Sequence, residues 1–445
     1  MFGTSGIRGP VGETVTADIA LDVGRAVATD EAETIVIGRD ARDSGRFLAD
    51  AAAAGCCECG ADVIDLGMAA TPTVARSIAR LDADAGIVVT ASHNPPEDNG
   101  LKLWTPSGQA FDTDRRERIT ELIETEAFAF AAWDESGARH AGDNAERAHK
   151  RAIVETVGDE MAAAMDGLEV VVDVGNGVGS VTAAALGEFG VDVTTLNAQP
   201  DGSFPGRPSE PTAETLTALC GHVESSDADL GIAHDGDADR MVAVDETGEF
   251  VPKDVLLALF SRQAVVRADG GVVAAPVDTS QCVDDAIADH GGRLTRTKVG
   301  DVFVAEAATQ EEVVFGGEPS GAWIWPAETL CPDGSLAAIK LVGLVAMEGS
   351  LAEQVGSVDT YPIQRQSIEV DDKATVMARV ADEFHEAYDD VTTIDGVRVS
   401  TAAGWVLVRP SGTQPLIRVT VEADTDDAAA ELLSDTVDRI EAARE

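Results

Sequence analysis

A chain of 445 residues is too long for one hydrophobic core, since domains run to about 100–200 residues, and 44% hydrophobic with 25% charged residues exclude a disordered chain. Asp plus Glu number 80 against 32 Lys plus Arg, a formal net charge of −48 that repels polyanions and excludes nucleic acid as a partner. No run of about 18 apolar residues is present to span a membrane, and the first residues lack the apolar segment of a signal peptide, so the expected compartment is the cytoplasm.

Only six of the basic residues are lysines, and the acids are spread along the whole chain. At 1 M salt the Debye length falls to about 3 Å and most of their repulsion is screened. The composition therefore fits a halophilic protein that works in molar salt.

In chain order, the residues predict a strand–helix pattern that occurs three times. The first copy has a strand over 34–38, an alanine-rich helix over 48–54 and a strand over 60–66. Cys56, Cys57 and Cys59 fall where that helix ends. No second Cys or His pair completes a zinc site, so they read as small buried thiols. The second copy has strands over 169–174 and 190–196, and the third over 271–277 and 292–296. Each spacing fits one βαβ unit. The turn Gly175-Asn176-Gly177-Val178-Gly179 lacks the GxGxxG spacing of a dinucleotide loop and reads as a tight βα turn.

Each copy then has a further apolar strand, over 85–89, 230–233 and 312–315, and each of these runs into a polar loop. In open α/β sheets ligands bind beyond the carboxyl ends of strands, so the three loops are expected to face one cleft. The C-terminal part differs. Short strands over 394–400, 405–408 and 416–422 precede a helix with apolar residues at helical spacing. The expected class is therefore α/β: three similar α/β domains with mixed or parallel sheets, plus a C-terminal α+β domain, around a central cleft. The boundaries give domains over 1–145, 146–250, 251–362 and 363–445.

Asp235, Asp237 and Asp239 alternate after the second of these strands, and period-two spacing would put their carboxylates on one side. Three converging carboxylates need a cation, and hard oxygen ligands point to Mg²⁺. Ser92 sits just past the first of them, between Thr90 and His93, with Pro95-Pro96 behind it. His93 and Lys102 could supply charge or proton transfer there. Arg409-Pro410-Ser411-Gly412-Thr413 offers a guanidinium, hydroxyls and an open backbone, the donors a phosphate needs. Glu318 and Ser320 suit a pair of sugar hydroxyls.

These segments give the chain a resemblance to a known family. Together with Thr4-Ser5-Gly6-Ile7-Arg8-Gly9, the loops 90–95, 235–240, 317–321 and 409–413 resemble, in order and along nearly the full length, those of the α-D-phosphohexomutases. The resemblance implies that Ser92 is carried as a phosphoserine. One Mg²⁺ per subunit would be held by Asp235, Asp237, Asp239 and a phosphoserine oxygen. It implies that Glu318 and Ser320 bind the sugar, and that Arg409, Ser411, Gly412 and Thr413 grip the non-reacting phosphate. Arg8, His93, Lys102, Arg240 and Lys298 would line the reacting side.

The implied reaction moves phosphate between O1 and O6 of a hexose phosphate through a 1,6-bisphosphate, in a monomer or homodimer. The segments Lys298-Val299-Gly300-Asp301 and Ser411-Gly412-Thr413-Gln414-Pro415-Leu416 tilt the expected substrate toward glucosamine phosphate, with glucose or mannose phosphate as the alternative. Ala322, where many relatives have His, leaves part of the sugar contact open. A haloacid-dehalogenase-like phosphatase with Asp235 as nucleophile and Asp237 as acid/base would account for one loop and leave the rest unused. A catalytically dead sugar-phosphate binder would leave Ser92 and the three aspartates without a role.

Overall fold

The computed structural model describes residue 3, residues 6–411 and residues 415–444. Its strands are β1 (Ile7–Pro10), β2 (Thr34–Arg39), β3 (Asp62–Met68), β4 (Ala85–Val89), β5 (Asp98–Trp104) and β6 (Arg139–Ala141) in a first sheet. A second sheet contains β7 (Glu169–Asp173), β8 (Asp192–Leu196), β9 (Leu230–His234) and β10 (Met241–Asp245). The third contains β11 (Gly271–Pro276), β12 (Gly292–Thr297), β13 (Val313–Glu318) and β14 (Ala322–Ile324). The fourth contains β15 (Ile363–Glu369), β16 (Val391–Thr392), β17 (Val397–Thr401), β18 (Gly404–Pro410) and β19 (Leu416–Ala423).

The threefold repeat is present and has one more member than the sequence pattern showed. Strand order is β5-β4-β2-β3 within the first sheet, β10-β9-β7-β8 in the second and β14-β13-β11-β12 in the third. In each, three parallel strands are followed by an antiparallel return strand (β5, β10 or β14) paired to the third parallel one. The polar loops at 90–97, 235–240 and 319–321 are therefore hairpin connections at the carboxyl ends of β4, β9 and β13. The return strands escape a periodicity search because each is short or fully buried, and so shows no alternation.

Some expected boundaries shift. The helix over 48–54 runs over Gly45–Glu58, which puts Cys56 and Cys57 inside it and Cys59 at its cap; all six cysteines are free thiols. Strand β13 continues through Glu318, so that carboxylate stands on the strand and not in the loop beyond it. In the last domain the first expected strand begins at Val397, because 394–396 form a bend, and β15 and β16 were not anticipated. The turn over 175–179 is the tight βα turn expected: Gly175 has φ 61°, and a Cβ on Gly177 would lie 2.6 Å from the Gly236 carbonyl oxygen.

The first and last sheets each have their own apolar core, from Ile7 to Ile123 and from Ile368 to Ala443. The second and third sheets share one, which spans Ile153 to Leu351 around helix Gly334–Glu348. Asp333 caps that helix through the Leu336 N–H and ties it to the first domain by an ion pair with Arg76 (2.9 Å) and to the start of the second by a contact with His149 Nε2 (2.9 Å). Among the described residues no helix is long and apolar enough to cross a membrane.

Candidate active site

Ser92 lies at the first hairpin with φ 53° and is almost completely buried. A non-glycine residue there is strained by about 1–2 kcal/mol, so its surroundings must impose the geometry. Ser92 N–H donates to Thr90 Oγ1 (2.8 Å), whose hydroxyl donates to Asp40 (2.7 Å). The Ser92 carbonyl accepts from Arg42 Nη2 (3.0 Å) and Ser209 Oγ (2.8 Å). Arg42 is wholly buried, pairs with Asp40 (3.0 Å) and also donates to the carbonyls of Asn94 (2.6 Å) and Asp98 (2.9 Å). One guanidinium thus holds the whole loop. Sequence reasoning missed Arg42; its only signal was its place three residues beyond a strand end, in the segment Arg39-Asp40-Ala41-Arg42.

The Ser92 hydroxyl donates to Asp235 Oδ2 at 2.7 Å and lies 3.3 Å from His93 Nδ1. Asp235, Asp237 and Asp239 converge, with ligand oxygens within 4.8 Å of one another, although not for the reason first given. The segment is a turn with Ala238 at φ 55°, not an extended strand. Gly236 makes the turn possible, since a Cβ there would lie 2.8 Å from both the Ser92 carbonyl oxygen and Ser209 Oγ. Buried His234 braces its base through Thr182 (2.7 Å) and the Arg240 carbonyl (2.9 Å).

Lys102 on β5 pairs with both Asp237 (2.8 Å) and Asp239, and Thr71 also donates to Asp237. Burial and mutual repulsion push the carboxyls of Asp235 and Asp239 up. Burial pushes Asp237 the same way, but the Lys102 ammonium outweighs it and holds that carboxyl below the usual range. Asp237 Oδ1 and Asp239 Oδ1 are buried without a hydrogen-bond donor. Orphaned carboxylate oxygens beside a raised pair of carboxyls are the donor set a small hard dication fits. Burial, then the charges of Arg240, Arg8 and Lys102, push His93 far below its usual range, so its ring is neutral.

The second and third hairpins interlock. Arg240 bridges Ala322 in antiparallel register, Met241 N–H donates to the Gly321 carbonyl (2.9 Å), and Trp323 Nε1 donates to the Met241 carbonyl (2.8 Å). Ala322 is part of this backbone bridge and is buried. Glu318 is 6% exposed and accepts from Gly300 N–H (2.6 Å) and Ser320 Oγ (3.1 Å). Burial, then the Asp301 carboxylate, push its carboxyl up to about 7. Lys298 is exposed, its ammonium 5.4 Å from the Phe303 ring.

Arg409, at the end of β18, pairs with Asp395 at 2.9 Å, and the same Asp395 oxygen accepts from Val299 N–H at 3.1 Å. Buried Ser411 is beside it; Gly412 and Thr413 lie outside the described residues. The expected residues thus fall into three groups. Ser92, His93, Lys102 and the aspartates form one cluster, with Arg8 and Arg240 at its edge. Glu318 and Ser320 form the second, with Lys298 outside it in the segment that leads to Gly300, and Arg409 with Ser411 form the third, joined to that segment through Asp395.

Four sequence profiles of the phosphoglucomutase/phosphomannomutase type match the chain: α/β/α domain I over residues 1–130, domain II over 150–248, domain III over 252–361 and the C-terminal domain over 367–439. A protein of Methanopyrus kandleri named as a probable phosphoglucosamine mutase is 46% identical, covering 98% of this chain and 97% of its own. One of Methanosarcina acetivorans with the same description is 46% identical, covering 95% of each. Among solved structures, a phosphoglucomutase/phosphomannomutase family protein of Burkholderia thailandensis superposes with TM-score 0.87 at 27% identity, covering 100% of this chain and 98% of that one. N-acetylphosphoglucosamine mutase of Aspergillus fumigatus, solved with GlcNAc-6P and magnesium, shares the fold with TM-score 0.62 at 16% identity, covering 100% of this chain and 96% of that one.

Proposed function

The chain belongs to the phosphoglucomutase/phosphomannomutase family, and from that premise we propose that it is a phosphohexomutase acting on glucosamine phosphate, with Ser92 as phosphoryl carrier. The carrying observation is the Ser92 hydroxyl at 2.7 Å from Asp235, inside a buried triad of carboxylates with two unsatisfied oxygens. The proposed domain limits stay at 145, 250 and 362.

Phosphoryl transfer asks for positioning and charge neutralisation more than for covalent help. The bond from phosphorus to Ser92 Oγ breaks as a bond forms to the free sugar hydroxyl, giving a hexose 1,6-bisphosphate. His93, neutral and within reach of Ser92 Oγ, takes the hydroxyl proton once the dianionic phosphoryl group offsets the charges of Arg240, Arg8 and Lys102 that otherwise keep its ring unprotonated. Lys102 is a poor base, because its two carboxylate partners outweigh burial and hold its ammonium above the usual range. After the bisphosphate reorients, its other phosphate returns to Ser92. Glu318 and Ser320 hold sugar hydroxyls in both orientations, while Arg409 and Ser411 hold the phosphate that is not reacting. Asp235, Asp237 and Asp239 would hold Mg²⁺, which when bound neutralises charge on the transferring phosphoryl group.

The phosphatase alternative needs a free Asp235 oxygen for attack. Here one accepts from Ser92 and the other from Arg240 N–H at 3.2 Å, which favours the mutase. The test is incubation with the 1-phosphates of glucosamine, glucose and mannose, with Mg²⁺ and a trace of the bisphosphate. Conversion of glucosamine 1-phosphate at the highest kcat/KM is expected. Faster turnover of either other sugar would overturn the substrate assignment, and release of inorganic phosphate without isomerisation would overturn the mutase.

A further inference from the structure

At the far end of β13 from Glu318, about 17 Å away at strand rise, lies a second cavity of about 650 Å³, between helix Lys253–Ala268, strand β13 and helix Gly334–Glu348. That volume is in the range of small-molecule sites. Its walls are apolar: Val313, Pro326 and the ring of Trp325, which rests on Phe260 and Phe315. Six polar side chains reach it, Gln263, Arg267 and Lys340 on the two helices and Thr309, Gln310 and Glu311 on the segment before β13.

Lys340 is the unusual one. It is one of only six lysines in the chain. It sits in the middle of a helix whose neighbouring positions are buried apolar residues, and it is itself only 6% exposed. A lysine this buried normally meets a carboxylate. Lys340 makes no hydrogen bond or ion pair among the described residues. Burial lowers its ammonium below the usual range, and Glu328 acts on it only at a distance, against Arg267. Arg267 is an exposed side chain with no carboxylate at ion-pair distance; Glu348 acts on it from further off, and it lies 3.9 Å from Met161 Sδ. In a chain of charge −48, two cations reach a cavity whose one lining carboxylate, Glu311, makes an ion pair with neither of them among the described residues.

We propose that this cavity is a second ligand site, which takes a small aromatic anion. The ring lies against Trp325, and the carboxylate or phosphate group meets Lys340 and Arg267. An anion there supplies the missing partner of Lys340, and the flat wall selects a planar body over a sugar. Nothing in the proposed reaction uses these residues.

The test uses the full chain and benzoate as probe, which lacks the phosphate that Arg409 would hold. Saturable binding with a Kd of about 1 mM or tighter is expected by calorimetry, with a change in tryptophan fluorescence. Lys340→Met should weaken it about 10–150-fold, the contribution of a charge-assisted bond, while Lys340→Arg retains it and both keep mutase activity without benzoate. If Lys340→Met fails to fold, ¹³C-labelled lysine in the wild type gives the same answer. Burial pushes two of the six signals, Lys253 and Lys340, below the ordinary lysine range; the one of these that is lost in Lys340→Arg should shift on addition of benzoate, and the other should not. Absence of saturable binding, equal affinity in Lys340→Met, or a lysine spectrum unmoved by benzoate would each overturn the site.

Discussion

Ser92 shows how much structure one reactive hydroxyl requires. Its left-handed backbone is kept by Thr90, Arg42 and Ser209, which come from three different chain segments. Ser92→Ala is expected to lose the single phosphate seen by intact mass and to lower kcat by about a thousandfold or more. Retention of near-full mutase activity would reassign the carrier. Arg42→Met should destabilise the first domain by about 3–5 kcal/mol, since it leaves Asp40 buried without its partner. Urea unfolding followed by a probe in that domain checks this. Glu318 carries a pH signature. Its carboxyl, raised to about 7 by burial and Asp301, offers its full set of acceptors to sugar hydroxyls only when ionised. Arg240 lowers that value and Asp278 raises it. KM should therefore fall as pH rises from 6 to 8, and the Glu318→Gln profile should be flat in that window. A wild-type KM that rises with pH would exclude the carboxylate as acceptor.

At the scale of elements, the legible and illegible parts of the sequence divide by physical cause. Parallel strands such as Thr34–Arg39 and Ala85–Val89 are apolar runs bounded by turns, so the three repeats could be found. Return strands such as Asp98–Trp104, which carries Asn99 and Lys102 between Asp98 and Trp104, could not. In that strand Lys102 faces the site and function overrides the pattern, whereas Met241–Asp245 is a fully buried run and Ala322–Ile324 is only three residues long. The convergence of three aspartates was legible from their spacing, but the turn that produces it depends on Gly236 packing against Ser92, a contact 144 positions apart in the chain. Arg42 and Asp395 were invisible because each acts through distant backbone groups. Asp395 joins β18 to the loop after β12, and any phosphate that reaches Arg409 must compete with it. Arg409→Ala should raise KM about 10–150-fold and change kcat less, because the distal phosphate is bound in ground and transition states alike. Asp395→Asn keeps the acceptor for Val299 but removes the competing charge, so KM should fall by about 1.5–5-fold. A rise in KM would mean that Asp395 positions Arg409 instead of competing for it.

For the whole molecule the question is how a chain of charge −48 holds together and still attracts a dianion. Of the cations Arg8, Arg240, Lys298 and Arg409, which would make the cleft a basic island, Arg8 and Lys298 have no ion pair among the described residues and the other two face carboxylates. Lys102 pairs with two aspartates and Arg409 with Asp395, while Asp235 and Asp239 act on Arg240. The cleft therefore attracts phosphate by the unpaired charge of Arg8 and Lys298, and elsewhere by exchanging a carboxylate for it, as at Arg409, or by admitting a dication among the aspartates. The outer surface is compensated only in part, by pairs such as Arg139 with Asp50 and Arg293 with Glu312, and its self-repulsion is partly relieved when the chain expands. Salt screens it, since the Debye length falls from about 10 Å at 0.1 M to about 3 Å at 1 M. We propose that the protein is halophilic: Tm and activity should both rise between 0.1 M and about 2 M KCl, with screening as the cause. KM should rise modestly over the same series, because screening also weakens the exchange at Arg409. Melting curves and KM measured across that series decide the matter. A Tm that stays flat or falls would mean that the acidic surface serves something other than stability in salt, and a KM that falls would mean that salt strengthens the hold on phosphate instead of weakening it.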